Sequence, residues 1–230
     1  MRILVISDID EFHWEHGTGR ADVVVSCGDV SDQVILEAAA SFGCGTILAV
    51  KGNHDSDTPF LEPITDMHLQ VKEMHGLRFG GLSGSWKYKP RGHFLYEQWE
   101  VEEYLSNFPI VDIFFSHNSP RGIHDQEDEV HYGFDGLKTY VLQRKPRILI
   151  HGHQHVNQES KLGDTRIIGV YGHKVIEVEE RHKAQGTRLK AKRVEKWTAY
   201  CLKVWGQKWH SKPRKYPCLG LLFINSSSRA

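Results

Sequence analysis

Five apolar runs in this sequence each stop on side chains of the kind that bind cations. RILVISD ends at Asp8, VVVSCGD at Asp29, ILAVKGNHD at Asn53-His54-Asp55, VDIFFSH at His117, and RILIHGHQH at His153 and His155. The donors are carboxylate, amide and imidazole, with no cysteine among them. That set favours hard or borderline divalent ions such as Mn, Fe, Mg or Zn. Six or seven such groups exceed what one ion takes. Two ions sharing a bridging carboxylate would use them all, and ion pairs about 3.5–4 Å apart are a recurring device of phosphoester chemistry.

Groups so far apart in sequence must be gathered by the elements that precede them. Arg2–Ser7 is a continuous β-branched run, as expected of a strand buried on both faces. Residues 21–29 repeat the pattern after a gap too short for a helical crossover, so the loop between them is expected to be irregular. Ser31 is placed to cap a helix running to about Phe42, and the strand Ile47–Val50 follows. Residues 58–73 read as a loop with a short helix. Leu77–Leu82 reads as a strand followed by a glycine- and aromatic-rich loop. A helix over 97–107 is expected to turn Trp99, Val101, Tyr104, Leu105 and Phe108 towards a core. The strand 111–116 leads to a long polar loop, 118–133, of a length usually tied to function. A helix over 134–145, the strand 147–150 and two or three antiparallel strands over 156–180 complete the body. The mixture of parallel-type and hairpin-type strands points to two sheets with helices outside. In such sheets, ligands collect at the carboxyl ends of the strands.

Fifteen histidines are a high number for 230 residues, and several stand at these strand ends. The net charge of zero conceals a division. Residues 1–180 hold 16 Lys and Arg against 28 Asp and Glu, whereas residues 181–230 hold 13 against a single acid, Glu195. The expected organisation is therefore a domain over 1–180 and a basic C-terminal extension over 181–230, in which a helix over 182–196 would be broken by Gly186. Four cysteines without a CxxC pair imply reduced thiols and no disulfide framework. No apolar run approaches the ~20 residues a membrane span needs. With a strand opening the chain and no leader-like run before it, the sequence reads as cytoplasmic, and nothing in it calls for an obligate protein partner.

The ordered blocks Asp8-Ile9-Asp10, Gly28-Asp29, Gly52-Asn53-His54-Asp55, His117 and Gly152-His153-Gln154-His155 resemble those of the calcineurin-like metallophosphoesterases. The resemblance covers roughly residues 1–180. It implies an α/β fold, a four-layer αββα sandwich of two mixed sheets flanked by helices, with a dinuclear metal site at the strand C-terminal ends. It implies that Asp8 and His155 bind one ion, that Asp29 bridges, and that Asn53, His117 and His153 bind the other, Mn being the expected metal. His54, paired with Asp55, would assist the leaving group or the phosphate.

One block departs from the family's Asp-x-His: its third residue is Asp10. As a ligand it would harden the first site towards Mn or Mg. His151 alternates away from its neighbours and is expected to face elsewhere. Arg91, His93, Arg121 and His124 lie in the long loops and are candidates to touch substrate; residues 126–130 read as a solvated loop. The expected activity is hydrolysis of a phosphomonoester or phosphodiester. The alternatives are a nuclease steered by the basic extension, and a non-catalytic scaffold on the same fold, as in the phosphoesterase-like subunit of the retromer coat.

Overall fold

The β-branched runs become neighbouring strands of two sheets packed face to face. A computed structural model describes residues 1–126 and 128–179; the expectations for the basic extension and its helix lie outside these. In the first sheet β1 (Arg2–Ser7), β2 (Val23–Ser26), β3 (Ile47–Ala49) and β4 (Ile64–Asp66) run parallel, and β13 (Gly172–Glu177) closes the edge antiparallel to β1. The second sheet is built on the parallel neighbours β6 (Leu77–Leu82), β9 (Ile113–Ser116), β10 (Ile148–His151) and β12 (Thr165–Gly169). Antiparallel edges β5 (Val71–Met74) and β11 (Glu159–Leu162) complete it. A short parallel pair, β7 (Ser85–Trp86) with β8 (Leu95–Tyr96), lies outside both sheets.

Three apolar clusters define four layers. Ile3, Val5, Val25 and Leu48 of the first sheet meet Phe79, Ile113, Phe115 and Ile150 of the second in the central one. Alternation sends the neighbouring residues Leu4, Ile6 and Val24 to the outer face, against Val34, Ile35 and Ala38 of α1 (Asp32–Ser41). On the far side Phe114, Leu149 and Ile167 pack against Val101 and Leu105 of α2 (Gln98–Ser106) and Leu137 and Val141 of α3 (Asp135–Arg144). The order is helix, sheet, sheet, helices. This is the αββα sandwich.

Helix ends follow local chemistry. The Ser31 hydroxyl accepts from the Val34 amide at the start of α1, and Glu97 with Glu100 forms a capping box at the start of α2. Three expectations need correction. Residues 58–73 hold no helix: the stretch supplies β4 and β5, edge strands set by pairing with β3 and β6. Trp99 is 62% exposed, because it lies two residues before Val101 and so on the opposite side of α2 from Val101 and Leu105. Of the closing strands, β12 is antiparallel only to β11 and parallel to β10. Among the described residues no helix is long and apolar enough to cross a membrane.

Candidate metal centre

The two sheets are stitched together where their parallel strands end. Gly84 N donates to Lys51 O (2.7 Å), His153 N to the Asp8 carboxylate (2.9 Å), and His117 Nδ1 to Cys27 O (2.9 Å). Each bond joins a segment following β1, β2 or β3 to one following β6, β9 or β10. The loops carrying the candidate ligands are therefore held in register by both sheets.

Asp8, Asp29 and His117 form a group whose ligand atoms all lie within 4.8 Å of one another. Asn53 joins it, with Oδ1 3.0 Å from His117 Nε2, and Asp29 Oδ2 is 3.2 Å from the same nitrogen. The His153 ring lies 4.9 Å from that of His117, tilted by 54°, and His155 Nε2 lies 3.6 Å from Asp8 Oδ1. Six of the seven expected ligands thus converge. The seventh, Asp10, is exposed and stands outside the group, its charge acting on His155.

The backbone around these residues is strained. Asp8 (φ 54°), Asp29 (54°), His153 (63°) and His155 (49°) all occupy the left-handed region. Non-glycine residues rarely do so, and such strain gathers at functional sites. The glycines beside the ligands serve a different purpose, close approach. A Cβ on Gly52 would overlap the Asp29 carboxylate, and one on Gly152 would overlap Ser7 Oγ and the Asp8 carboxylate.

The electrostatics show a site that requires positive charge. The Cys27 carbonyl can only accept, so Nδ1 of His117 carries a proton and a neutral ring turns the Nε2 lone pair towards Asn53 Oδ1 and Asp29 Oδ2. Three acceptors then face one another in the protein interior, His117 being 0% exposed. Burial works to lower the His117 pKa, yet the charge and hydrogen bond of Asp29, helped by Asp8, carry it up to about 9. Burial tends to raise Asp29, but His117 and the His54 amide bring it down to about 2. Asp8 is likewise lowered against its burial, mainly through His155 and His117. Its buried Oδ1 has no hydrogen-bond partner among the described residues. His153 is pushed down to about 3, first by burial and then by the charge of His117.

An acceptor-rich pocket with an orphan carboxylate oxygen suits a cation. The Cys27 thiol, 0% exposed and driven well above its ordinary pKa by burial and by Asp8, stays protonated. The available donors are therefore oxygen and imidazole nitrogen, which fit divalent ions of the Mn, Fe, Mg or Zn kind.

The remaining expected residues fall into place around this group. The His54 ring is exposed and lines a cavity of about 370 Å³ with Asp10, Asp29, Ser31 and Lys51, while its backbone N–H donates to Asp29 Oδ1 at 2.8 Å. Asp55 corrects the expected pairing with His54. Its Oδ2 accepts from the backbone N–H of Gly52 (2.7 Å) and Asp29 (3.0 Å), because the tight turn leaves those amides without strand partners. Arg121 packs its guanidinium on the Tyr132 ring and reaches Asp125 at 3.3 Å, so it is engaged within its own loop. Arg91 is exposed, and His93 faces Asp57 at 3.7 Å. His124 is tied to His151 (2.9 Å) and Ser160 (2.8 Å), and the buried His151 turns its Nδ1 to the Gly152 carbonyl at 2.9 Å, near enough to the ligand group to feel the charges of Asp8 and His117.

Sequence reasoning missed three supports. Ser7 Oγ donates to Asp8 at 2.6 Å, the Asn53 amide donates to the Tyr88 hydroxyl at 3.3 Å, and the Val130 carbonyl meets His153 Nε2 at 3.1 Å. Only Ser7 had a signal, its place directly before Asp8. Tyr88 and Val130 lie in loops whose path no spacing announces.

Comparison with known proteins agrees with this geometry. A search of curated proteins finds no match. Among solved structures, one aligns over 79% of this chain and 99% of its own, at 15% identity and TM-score 0.52. TT1561 of Thermus thermophilus aligns over 74% and 89%, at 14% identity and TM-score 0.50. Vps29 of Entamoeba histolytica complexed with Zn aligns over 81% and 95%, at 14% identity and TM-score 0.44. The first two likenesses bear on the fold alone. Residues 1–172 match the model of the calcineurin-like phosphoesterase superfamily domain. With its αββα layers and its metal-ligand group at the strand ends, the chain belongs to the calcineurin-like phosphoesterase superfamily.

Proposed function

We propose that this protein is a metal-dependent phosphoesterase acting on a phosphomonoester or phosphodiester. Asp8 and His155 would hold one divalent ion and Asn53, His117 and His153 a second, with Asp29 shared. When bound, such a pair supplies Lewis acidity towards the phosphoryl oxygens and acidifies water towards neutral pH. The chain's own residues do the rest. The Cys27 carbonyl fixes the His117 tautomer so that Nε2 faces inward. The Tyr88 hydroxyl steadies the Asn53 amide. Asp55 ties the turns at Gly52 and Asp29 together, keeping Asp29 between the two ligand sets. The exposed His54 ring would give a proton to the departing oxygen, a contribution typically worth about 10²–10⁴-fold in rate.

The observation that carries this reading is the group of acceptors turned on one another around His117 Nε2, with the buried Asp8 Oδ1 beside it lacking a hydrogen bond among the described residues. Metal analysis combined with a screen of mono- and diesters under Mn, Mg, Zn and Fe tests it. We expect hydrolysis that a chelator abolishes and Mn restores best. A fully metal-loaded protein that cleaves no ester would leave the scaffold reading instead.

A nuclease is the second reading, and the charge of residues 181–230, 13 basic against one acidic, favours it. It requires cleavage of polynucleotides that weakens steeply as salt rises.

A further inference from the structure

Beside the ligand group lies a cleft of about 500 Å³ that no candidate ligand lines. Its walls are Trp86, Lys87 and Tyr88 on one side and Asp128, Glu129 and Tyr132 on the other. That volume is in the range of small-molecule sites, where apolar walls and a few placed polar groups decide what binds. We infer that this cleft receives a planar nitrogen heterocycle, such as the base of a nucleotide, carried by the ester whose phosphate lies at the metal centre; this deepens the proposed phosphoesterase reading and rests on it.

Both walls are tied to the ligands themselves. On one side the Tyr88 hydroxyl takes a hydrogen bond from the Asn53 amide. On the other, the loop before Tyr132 places the Val130 carbonyl on His153 Nε2 and the His131 ring 5.2 Å from that of His153. A group in the cleft therefore stands beside a phosphate held among Asn53, His117 and His153.

The walls are aromatic and held in place. The Trp86 and Tyr132 rings stand 6.1 Å apart at 43°, forming a V against which a flat ring can lie. Arg121 lies over the ring of Tyr132, whose carbonyl accepts from the Asn118 amide at 2.8 Å, and Trp86 packs on the apolar cluster beneath it.

The polar groups select the kind of ring. Asp128 accepts from the amides of Val130 and His131 and from the His131 ring, which together hold its carboxyl down at about 2, so it stays charged. Glu129 adds a second carboxylate, whereas Lys87 is drawn off by Glu97 at 3.1 Å. These carboxylates accept hydrogen bonds from ring amino groups, while Lys89 over the Tyr88 ring and Arg121 on Tyr132 leave the rim of mixed charge. Such a rim suits one amino-bearing base on a single phosphoester.

The test separates the cleft from the chemistry. The full chain is titrated with adenosine, cytidine, ribose and tyrosine amide by ligand-observed NMR, none of which carries phosphate. Base stacking on an aromatic wall predicts that both nucleosides bind at least about tenfold more tightly than ribose. Trp86→Leu and Tyr132→Leu, each confirmed folded by circular dichroism, should each remove most of that difference while leaving bound metal unchanged. Hydrolysis of 5′-AMP and ribose 5-phosphate is measured in parallel. Absence of turnover with either ester would strike at the phosphoesterase reading while leaving base binding intact. Equal affinity for nucleoside and ribose, or a preference surviving both substitutions, overturns the assignment of the cleft. Tyrosine amide binding as well as adenosine overturns its choice of a heterocycle and points to a phosphotyrosine instead.

Discussion

The Nε2 atom of His117 lies 3.0 Å from Oδ1 of Asn53, two groups that in their neutral forms both offer lone pairs. The neighbouring Asp29 oxygen adds a third at 3.2 Å. A proton on His117 relieves the conflict, and so does a divalent ion. The two compete for the same space, which gives the metal-free protein a distinct dependence on pH.

In the metal-free chain His117 is raised from 6.5 to about 9, so the folded state binds its proton more tightly than the unfolded one. That stabilisation is complete below pH 6.5 and is lost as pH rises through 9. His151 is lowered to about 4, first by burial, and His153 to about 3. For these two the unfolded chain takes protons first, so their contribution is complete above pH 6.5 and falls away down to about pH 4 for His151 and about pH 3 for His153. The melting temperature of the chelator-treated protein should peak near pH 6.5, with an alkaline loss on the order of a few kcal/mol. Bound Mn should flatten the alkaline arm. A melting temperature that stays level from pH 6.5 to 9.5 without metal would show that His117 carries no such proton.

The sequence revealed most where burial on both faces left a continuous apolar run. β1 has the bounds its β-branched stretch implies, and Ser31 caps α1 as expected. β4 and β5 were illegible because they are three and four residues long and only partly buried, with their pairing supplied by β3 and β6. The convergence of Asp8, Asp29, Asn53 and His117 was legible because cation chemistry restricts the residue types. The left-handed backbone at Asp8, Asp29, His153 and His155 was not, since Asp and His tolerate that conformation but adopt it at few of their positions. Nor could the Asp55 carboxylate be assigned to the Gly52 and Asp29 amides before the turn geometry was known.

Gly52 is the position where close approach matters most. A methyl group there would meet the Asp29 carboxylate and backbone nitrogen, neither free to move without disturbing the His54 and Asp55 hydrogen bonds. Gly52→Ala should cost about 1–3 kcal/mol and lower the number of ions retained after dialysis. Gly45→Ala, which meets open space, should change stability by less than about 0.5 kcal/mol. Equal metal content and equal melting temperature in the two variants would contradict the packing described here.

His54 has two separable parts. Its backbone N–H supports Asp29, and its ring lines the cavity beside it. Because alanine retains the N–H, His54→Ala should leave bound metal nearly unchanged while lowering turnover at least about tenfold. Turnover equal to that of the parent protein would remove the ring from the reaction.

The division at residue 180 yields a further expectation. Among the described residues the first sheet ends with β13 and the bond from Val178 N to Met1 O. A chain ending at Glu180 should melt as one cooperative unit and act on small esters as the full chain does. If cleavage of polynucleotides alone is lost, the extension serves nucleic acid; an insoluble product would instead make residues 181–230 part of the fold.

Asp10 is where this chain parts from the family pattern, and its location narrows what it can do. It is exposed beside Asp8, and its charge raises His155, the residue facing Asp8 Oδ1. The charges that shift His117 and His153 come from Asp29, Asp8 and neighbouring histidines, with Asp10 not among them. Its influence should therefore fall on one ion only, through added negative charge and an oxygen donor that prefers Mn or Mg to Zn. Asp10→Ala should weaken that ion at least several-fold and leave the other in place. Asp10→His, supplying the imidazole the family has there, should shift preference towards Zn or Fe with activity retained. Titrating parent and variants with Mn and Zn while counting bound ions distinguishes the cases. Loss of both ions in Asp10→Ala would make the residue a support of the whole centre. Unchanged stoichiometry and preference in both variants would remove it from the metal site altogether, leaving the first ion to Asp8, Asp29, His155 and water.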